Sequence, residues 1–545
     1  MKKLSFILIL LFSSNILFSQ NEFEYVYDGI NISDFNNIME ISDIFEMDNG
    51  DFMVFGLKSE HYYFGRFSNS GEMLSETSIN KSIPGYYHLN YKGTPIIKSE
   101  NGGFYVFTNL NPIFDTIDIN YQGYLKSKIV MDKLDENLEL VYSKEMTISL
   151  DTTGIWDEID PYNYPQIEIG TVLDEGDGFV ICYEKYAQKT YGNQPHLYGS
   201  DTTFFIKTDY ELNILKSGSF GHLKCNELRH RNHLLYDEED DEYLYYVSGE
   251  WSSSHYRKGL YLYRFDSDFN YVGEHYMANT NESLHSIHYQ DGNSKTSGIT
   301  FKRTKSNTTL MMAGAKYDSR YSAAICLEMD DEAKMLDSIT FAKFETSSSN
   351  RTTVPCFGSI DWVNENRIFI GATPNSYYAP WLNGYQYLDI RMIDKDLNVL
   401  DKLYYDLGET SALWTTTLKA TNDGGCIIAG HFYDYGKDPD TYYNVIKKFP
   451  PEAFDNINEI HAYGLKYAVS YPNPGSDVMN IRTGLQNAIL TVYDINGRKI
   501  HEQEITDEVT SINASNWNSG TYVWKLGIRS AELGVKEMES GKWVK

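Results

Sequence analysis

One pattern recurs seven times along this chain, and a repeat of that kind restricts the possible folds more than any single motif does. Each unit opens with a short apolar strand, turns on an acidic or Asn/Gly stretch, and returns through a strand rich in aromatic and aliphatic residues. The clearest copies read MDNGDFMVFG (47–56), SENGGFYVFT (99–108), DEGDGFVICY (174–183) and TNDGGCIIAG (421–430). More divergent copies are EEDDEYLYYVSG (238–249), KSNTTLMMAG (305–314) and NENRIFIGA (364–372). A second hairpin follows the first, as in KIVMDKLDENLELVY (128–142), FFIKTDYELNILKS (204–217), LYLYRFDSDFNYVGEHY (260–276), AICLEMDDEAKMLDS (324–338) and DIRMIDKDLNVLDK (389–402). Period-two alternation around Asp, Asn and Gly marks hairpins, because those residues tolerate the positive φ of tight turns. Two hairpins make a four-stranded antiparallel meander.

The first turns of the units fall near Asn49, Asn101, Gly176, Asp240, Asn307, Glu365 and Asp423, 52 to 75 residues apart. Seven four-stranded units with no helical stretch between them predict an all-β fold, a seven-bladed β-propeller. An array of two-sheet sandwiches is the structural alternative. The seventh unit reaches YYNVIKKF (442–449) and then meets Pro450-Pro451, which cannot continue a ladder, so its fourth strand is missing. The segment EFEYVYDGI (22–30) lies before the first unit and is expected to supply that strand, closing the ring and removing an exposed edge.

At the amino terminus, Lys2 and Lys3 precede an apolar run that extends, diluted by Ser13, Ser14 and Asn15, to Phe18. This is the layout of a secretory signal peptide, with cleavage expected after Ser19. The run is shorter than the ~20 residues of a spanning helix, and no later segment is long and apolar enough to span, so no transmembrane segment is expected after signal removal. Acidic residues number 76 against 47 basic, for a net charge of -29. Phosphate backbones and anionic membranes repel such a chain, which removes nucleic acid from the expected partners. Of five cysteines, Cys182, Cys326 and Cys426 sit in apolar strand-like runs and are expected to be buried thiols. Cys225 and Cys356 fall in expected loops, and their pairing is open.

The last segment has a different character. Tyr471-Pro472-Asn473-Pro474 is followed by VYDINGRKI (492–500), NSGTYVWKL (518–526) and a final GKWVK (541–545). It resembles the type A C-terminal sorting domain of the type IX secretion system, found in Bacteroidota. The resemblance covers about a seventh of the chain. It implies passage through the periplasm and across the outer membrane to the cell surface or the medium, with the secretion machinery as a partner. It also implies a sorting signal carried by Tyr471, Pro472, Asn473, Pro474, Gly497, Gly541 and Lys542. Alternation at Leu490/Val492 and Tyr522/Trp524/Leu526 around an Asn496-Gly497 turn fits a small Ig-like β-sandwich. The expected organisation is a signal peptide (1–19), a propeller (20–450), a linker (451–468) and the sorting domain (469–545).

In a four-stranded meander the loops alternate faces, so tight turns gather on one face and the longer connections on the other. Those longer segments are YAQKTYGNQPHLYGSD (186–201), EWSSSHYRKG (250–259), AKYDSRYS (315–322), TPNSYYAPWLNGYQY (373–387) and HFYDYGKDPDTYY (431–443). Tyr and Trp present an apolar face with a polar tip, suited to sugar rings or a protein partner. Trp251, His255, Tyr256, Tyr377, Tyr378 and Trp381 are the candidate binding face. FDSDFN (265–270) and IDKDLN (393–398) have a calcium-like spacing of oxygen donors, but they lack the Gly and bidentate Glu of an EF-hand. Turn-forming Asx chemistry accounts for them, so no cofactor is expected, with Ca2+ as the exception to watch. There is no GxSxG, HExxH, Walker or GxGxxG motif, and the His residues do not recur at metal-ligand spacing; the cluster His222, Arg229, His230, Arg231, His233 is locally basic and lies in a connection between units. The function these features suggest is a secreted or surface protein that binds a glycan or a protein. The alternatives are a hydrolase or lyase with paired carboxylates across the channel, or a structural surface-layer component.

Overall fold

Each repeat folds into one antiparallel sheet in the computed structural model, seven in all, and two further sheets form the carboxy-terminal part. The structure describes residues 22–27, 30–31, 39–58, 61–80, 83–84, 86–88, 95–112, 124–151, 165–191, 194–198, 202–221, 233–249, 259–278, 286–288, 300–316, 321–345, 354–373, 387–405, 411–434, 438–454, 461–463, 468–471, 475–483, 488–505, 509–530 and 534–545. The chain divides into two compact units, Met1–Asp401 with Thr410–Asp455, and Lys402–Glu409 with Asn456–Lys545.

The first blade comprises Met39–Glu46, Phe52–Lys58, His61–Phe67 and Met73–Asn80. The second comprises Ile96–Lys98, Phe104–Pro112, Tyr124–Leu134 and Leu140–Asp151, and the third Pro165–Asp174, Gly178–Tyr191, Thr202–Asp209 and Ile214–Gly221. His233–Asp237, Glu242–Gly249, Gly259–Asp266 and Tyr271–Ala278 form the fourth, and Thr300–Arg303, Thr309–Lys316, Tyr321–Met329 and Met335–Glu345 the fifth. The sixth runs Val354–Asn364, Arg367–Thr373, Leu388–Ile393 and Val399–Tyr405. The seventh has three strands of its own, Ser411–Ala420, Cys426–Asp434 and Asp438–Phe449. Its outer strand is Phe23–Val26, paired antiparallel to the third with Phe23 opposite Lys448 and Val26 opposite Val445. The expected closure is present. The protein is a seven-bladed β-propeller followed by a small β-sandwich.

Burial holds the ring together. Tyr105, Phe107, Phe179 and Ile181 pack the second blade on the third, and Phe205, Tyr245, Phe265 and Phe269 the third on the fourth. Leu262, Met311 and Leu327 continue the ring from fourth to fifth, and Met312, Cys326 and Ile370 from fifth to sixth. Between sixth and seventh, a Cβ on Gly371 would lie 2.9 Å from Cδ1 of Leu418, so that leucine packs directly against the glycine backbone. The seam of the ring is aromatic. Phe23 lies 5.7 Å from Phe52, Tyr25 4.9 Å from Phe67, and Tyr27 6.0 Å from Tyr63. Cys182, Cys326 and Cys426 are fully buried free thiols, as expected, and burial pushes the Cys326 thiol up to about 12.

Polar side chains also stitch blades together. Asn111 donates from Nδ2 to Ile167 O at 3.1 Å and accepts from Ile167 N at 2.8 Å, and Ser127 Oγ completes its carbonyl at 2.8 Å. Asn111 is wholly buried, so its amide substitutes for a strand partner between second and third blades. Replacing Asn111 with leucine removes the acceptor of the Ile167 N–H and leaves the Ile167 carbonyl with Asn109 Nδ2 alone, at 3.1 Å. It is expected to cost about 1–3 kcal/mol in urea unfolding, whereas the exposed Asn137→Ala change should cost under ~1 kcal/mol.

One expected long connection is shorter than the sequence suggested. The second strand of the third blade runs on to Tyr191 and folds back as Gln194–Tyr198, in register from Ala187↔Tyr198 to Tyr191↔Gln194. Most of the tyrosine-rich segment 186–201 is therefore hairpin.

In the carboxy-terminal unit, Ala468–Tyr471, Val478–Thr483 and Val509–Asn513 form one sheet, and Lys499–Ile505, Ala488–Asp494, Thr521–Ser530 and Gly534–Val544 the other. The alternating residues meet between them, with Leu490, Val492, Trp524, Leu526 and Trp543 all buried.

Candidate functional site

The two loop parities separate as expected. One face carries the first-hairpin and second-hairpin turns, and the second-hairpin turns of the second to sixth blades share one construction. Asp209 Oδ1 accepts from the main-chain N–H of Glu211 and of Asn213, both at 2.9 Å. Asp266 does the same with Asp268 and Asn270, and Asp394 with Asp396 and Asn398. Asp135 and Asp330 repeat it. The calcium-like spacing is thus a self-contained Asx turn, whose acceptor capacity faces its own backbone. The Asn213 side chain holds the Asp209 carboxyl below its usual range, and Asn270 does the same for Asp266.

The fourth residue of each turn was not foreseen. Leu138, Leu212, Phe269, Ala333 and Leu397 all adopt positive φ, between 54° and 66°, where glycine or asparagine is usual. Each is buried, so an apolar plug seated between blades offsets the backbone cost.

The described channel wall carries an arc of alternating charge from the inner strands of four consecutive blades. Lys302 of the fifth pairs with Asp361 of the sixth, and Lys419 Nζ of the seventh lies 3.2 Å from Asp43 Oδ1 of the first. Asp361 Oδ2 also accepts the Ala420 N–H at 2.9 Å. Burial pulls on the Lys419 ammonium, but Asp43 and Asp361 outweigh it and raise its pKa. Bulges re-aim the inner strands here, between Ile41 and Asp43 and between Thr415 and Thr417, and Thr417 Oγ1 comes within 3.4 Å of Asp43 Oδ1. Trp362 flanks the arc with Lys302 Nζ 4.3 Å from its ring centroid.

Asp237, Asp240 and Asp331 offer oxygens within 4.8 Å of one another on the turn face. Their cation is already there, because Arg303 Nη2 lies 2.6 Å from Asp331 Oδ1 and also bonds Asp237. The candidate binding residues Trp251, His255, Tyr256, Tyr377, Tyr378 and Trp381 lie outside the described residues, as do Cys225, the side chains of Cys356 and His233, and the cluster from His222 to Arg231.

In the sandwich, pieces of the motif that are far apart in sequence converge at one end. Ser470 Oγ donates to Lys542 O at 3.2 Å, and Gly475 N to Val544 O at 2.8 Å, so the two sides of Tyr471-Pro472-Asn473-Pro474 are tied to the final strand. Asp494 of the DINGR turn is paired with Tyr522, which is paired with Trp543. Gly497 takes φ 79°, which that turn requires. A Cβ on Gly541 would lie 2.3 Å from Cζ2 of Trp524, so Gly541 leaves room for the indole. Lys545 Nζ donates to three carbonyls, Ala514 and Trp517 at 2.7 Å and Ser515 at 2.9 Å. Lys542 is exposed.

Residues 469–536 match the family described as the secretion system C-terminal sorting domain. The carboxy-terminal sandwich is a type IX sorting domain. Proteins with this sorting domain reach the cell surface or the medium, and that is where this protein belongs. Among the described residues no helix is long and apolar enough to cross a membrane. None of the curated proteins matches the chain. Among solved structures, the chain is similar to PorZ, an essential bacterial surface component of the type IX secretion system of Porphyromonas gingivalis, at 10% identity over 93% of this chain and 81% of that one, with a TM-score of 0.21. It is also similar to the NanB sialidase of Streptococcus pneumoniae, at 10% identity over 77% of this chain and 69% of that one, TM-score 0.35. A fungal alcohol oxidase of the AA5 family, in complex with copper, is 9% identical over 95% of this chain and 99% of that one, TM-score 0.39. Likenesses this loose speak to neither activity nor ligand. The sorting domain sets the destination, and the propeller is the passenger delivered there.

Proposed function

We propose that the passenger, residues 20–450, binds an extracellular glycan or protein through the face that carries its long connections, with residues 451–468 linking it to the sorting domain at 469–545. The carrying observation is the parity of the blades. Asx turns and tight first-hairpin turns occupy one face and satisfy themselves, which leaves sequence variety to the connections between the second and third strands, the stretches of sequence that contain Trp251, His255, Tyr256, Tyr377, Tyr378 and Trp381. Export through the type IX system supports a ligand met outside the cell. The described channel carboxylates Asp43 and Asp361 are each paired with a lysine, which lends no support to a hydrolytic pair.

A glycan array probed with the purified chain from Gln20, beside a Trp251→Ala/Trp381→Ala variant, tests this reading. Binding weakened at least tenfold in the variant is the expected result, given that a stacked aromatic contributes about 1–2 kcal/mol or more. Equal binding by both proteins would remove these residues from the site.

A further inference from the structure

The seam of the propeller is built like a peptide-binding groove, with the protein's own amino-terminal strand as occupant. Glu22 and its partner Lys447 are 425 residues apart, and the strand adds itself to the edge of Asp438–Phe449 by main-chain pairing alone. Side-chain selection is layered on that ladder. Phe23, Tyr25 and Tyr27 point to one side, onto the first blade. Gly71, at φ +84°, leaves the space Phe23 fills, since a Cβ there would lie 2.5 Å from the Phe23 side chain. Gly65 does the same near the Tyr27 hydroxyl, at 3.2 Å. On the other side, Lys447, whose side chain is 9% exposed, reaches Glu22 Oε1 at 2.7 Å and Glu24 Oε2 at 3.6 Å. Ladder, alternate aromatic slots and a nearly buried lysine reading glutamates are the elements of strand-addition recognition.

We propose that this edge accepts an extended acidic-aromatic strand, Glu-Phe-Glu-Tyr-x-Tyr, in trans, and that the occupant in trans is the amino-terminal strand of a second copy of this chain. The strand is the outermost of its blade, with the Glu22 and Glu24 side chains 35% and 37% exposed, so its departure breaks one ladder and empties the aromatic slots while the three strands inside it stay paired. Nothing in the ladder, slots or ion pair depends on the covalent link. Exchanging an identical element between protomers is a low-cost route to dimers, and it competes with the tethered strand at an effective concentration in the millimolar range. Exchange is therefore favoured where exported chains are crowded.

The experiment keeps the blades intact. A protease site is inserted within residues 32–38 of the chain from Gln20, the folded protein is nicked, and a labelled synthetic peptide of residues 20–31 is added in excess. Native mass spectrometry should find one labelled peptide per nicked chain. Uptake should fall at least tenfold with Phe23→Ser/Tyr25→Ser peptide. It should fall similarly in Lys447→Glu protein and recover with a Glu22→Lys/Glu24→Lys peptide. Uptake of a scrambled peptide equal to that of the native one, or no uptake, would overturn the groove. In parallel, two isotopically distinct intact chains are mixed and warmed toward the unfolding midpoint. Mixed dimers that increase with concentration are expected, and their absence alongside peptide uptake would overturn the second copy as occupant.

Discussion

Lys448→Ala is expected to destabilise the propeller by about 3–5 kcal/mol, the largest single-site loss outside the aromatic core. The Lys448 side chain is fully buried, and Nζ bonds Asp423 Oδ2 at 2.8 Å and Phe449 O at 3.3 Å. Asp423 also accepts from Thr421 Oγ1 at 2.6 Å and from Gly425 N at 3.0 Å, so removing the ammonium strands a carboxylate already committed to a tight turn. A Lys448→Met/Asp423→Leu double variant should recover most of the loss, because a buried pair exchanged for apolar side chains carries little net penalty. Denaturant titration of the parent, the Lys448→Met and Asp423→Leu single variants and the double variant gives the coupling. Burial pushes the Asp423 carboxyl up, but Lys448 and the turn donors outweigh it and hold its pKa below the usual range. A depressed folded pKa adds stability that is complete above the unfolded value, about 3.9, and lost as pH falls through the lower folded value. The double variant should accordingly lose less stability than the parent in that acid window. Equal acid sensitivity in both would refute the assignment.

Gly541→Leu is expected to abolish export while leaving the propeller stable. A side chain at 541 collides with the Trp524 indole, which packs in the sandwich core beside Trp543 and Tyr522. Overpacking of this kind costs about 1–3 kcal/mol, and a domain of this size has only a few kcal/mol to lose. The measurement is the fraction of protein reaching the medium or cell surface, with propeller unfolding followed separately on the purified chain. Lys542→Ala is the comparison, since Lys542 is exposed and its loss leaves the core untouched. Normal export of Gly541→Leu would show that the sandwich need not be folded as seen here to act as a signal.

The blades were legible because a hairpin is a local object. Alternation and turn residues lie within about fifteen positions of each other, so all seven first turns and the strand order could be read directly. Closure by residues 22–30 was legible for a different reason, since Pro450-Pro451 left a blade one strand short. What escaped reading depends on partners far apart in sequence. Nothing near Asn111 announces that it bonds Ile167, nothing in Lys-Lys-Phe distinguishes the buried Lys448 from its neighbour, and the ion arc needs four inner strands at once. Leu138, Leu212, Phe269, Ala333 and Leu397 were hidden otherwise, because propensity forbids the φ that burial enforces. Segment 186–201 misled because tyrosine suits loop and strand alike, and the pairing of 187–191 with 194–198 decided it.

The pairing of Phe23–Val26 with the last propeller strand also sets a timetable. Contacts between residues more than four hundred positions apart are the slowest to form, because the chain between them must be ordered first. During synthesis the first strand made waits for the last, and the ring stays open until residue 449 is available. Sealing then reports that the whole propeller has been made, a completeness check written into the order of the strands.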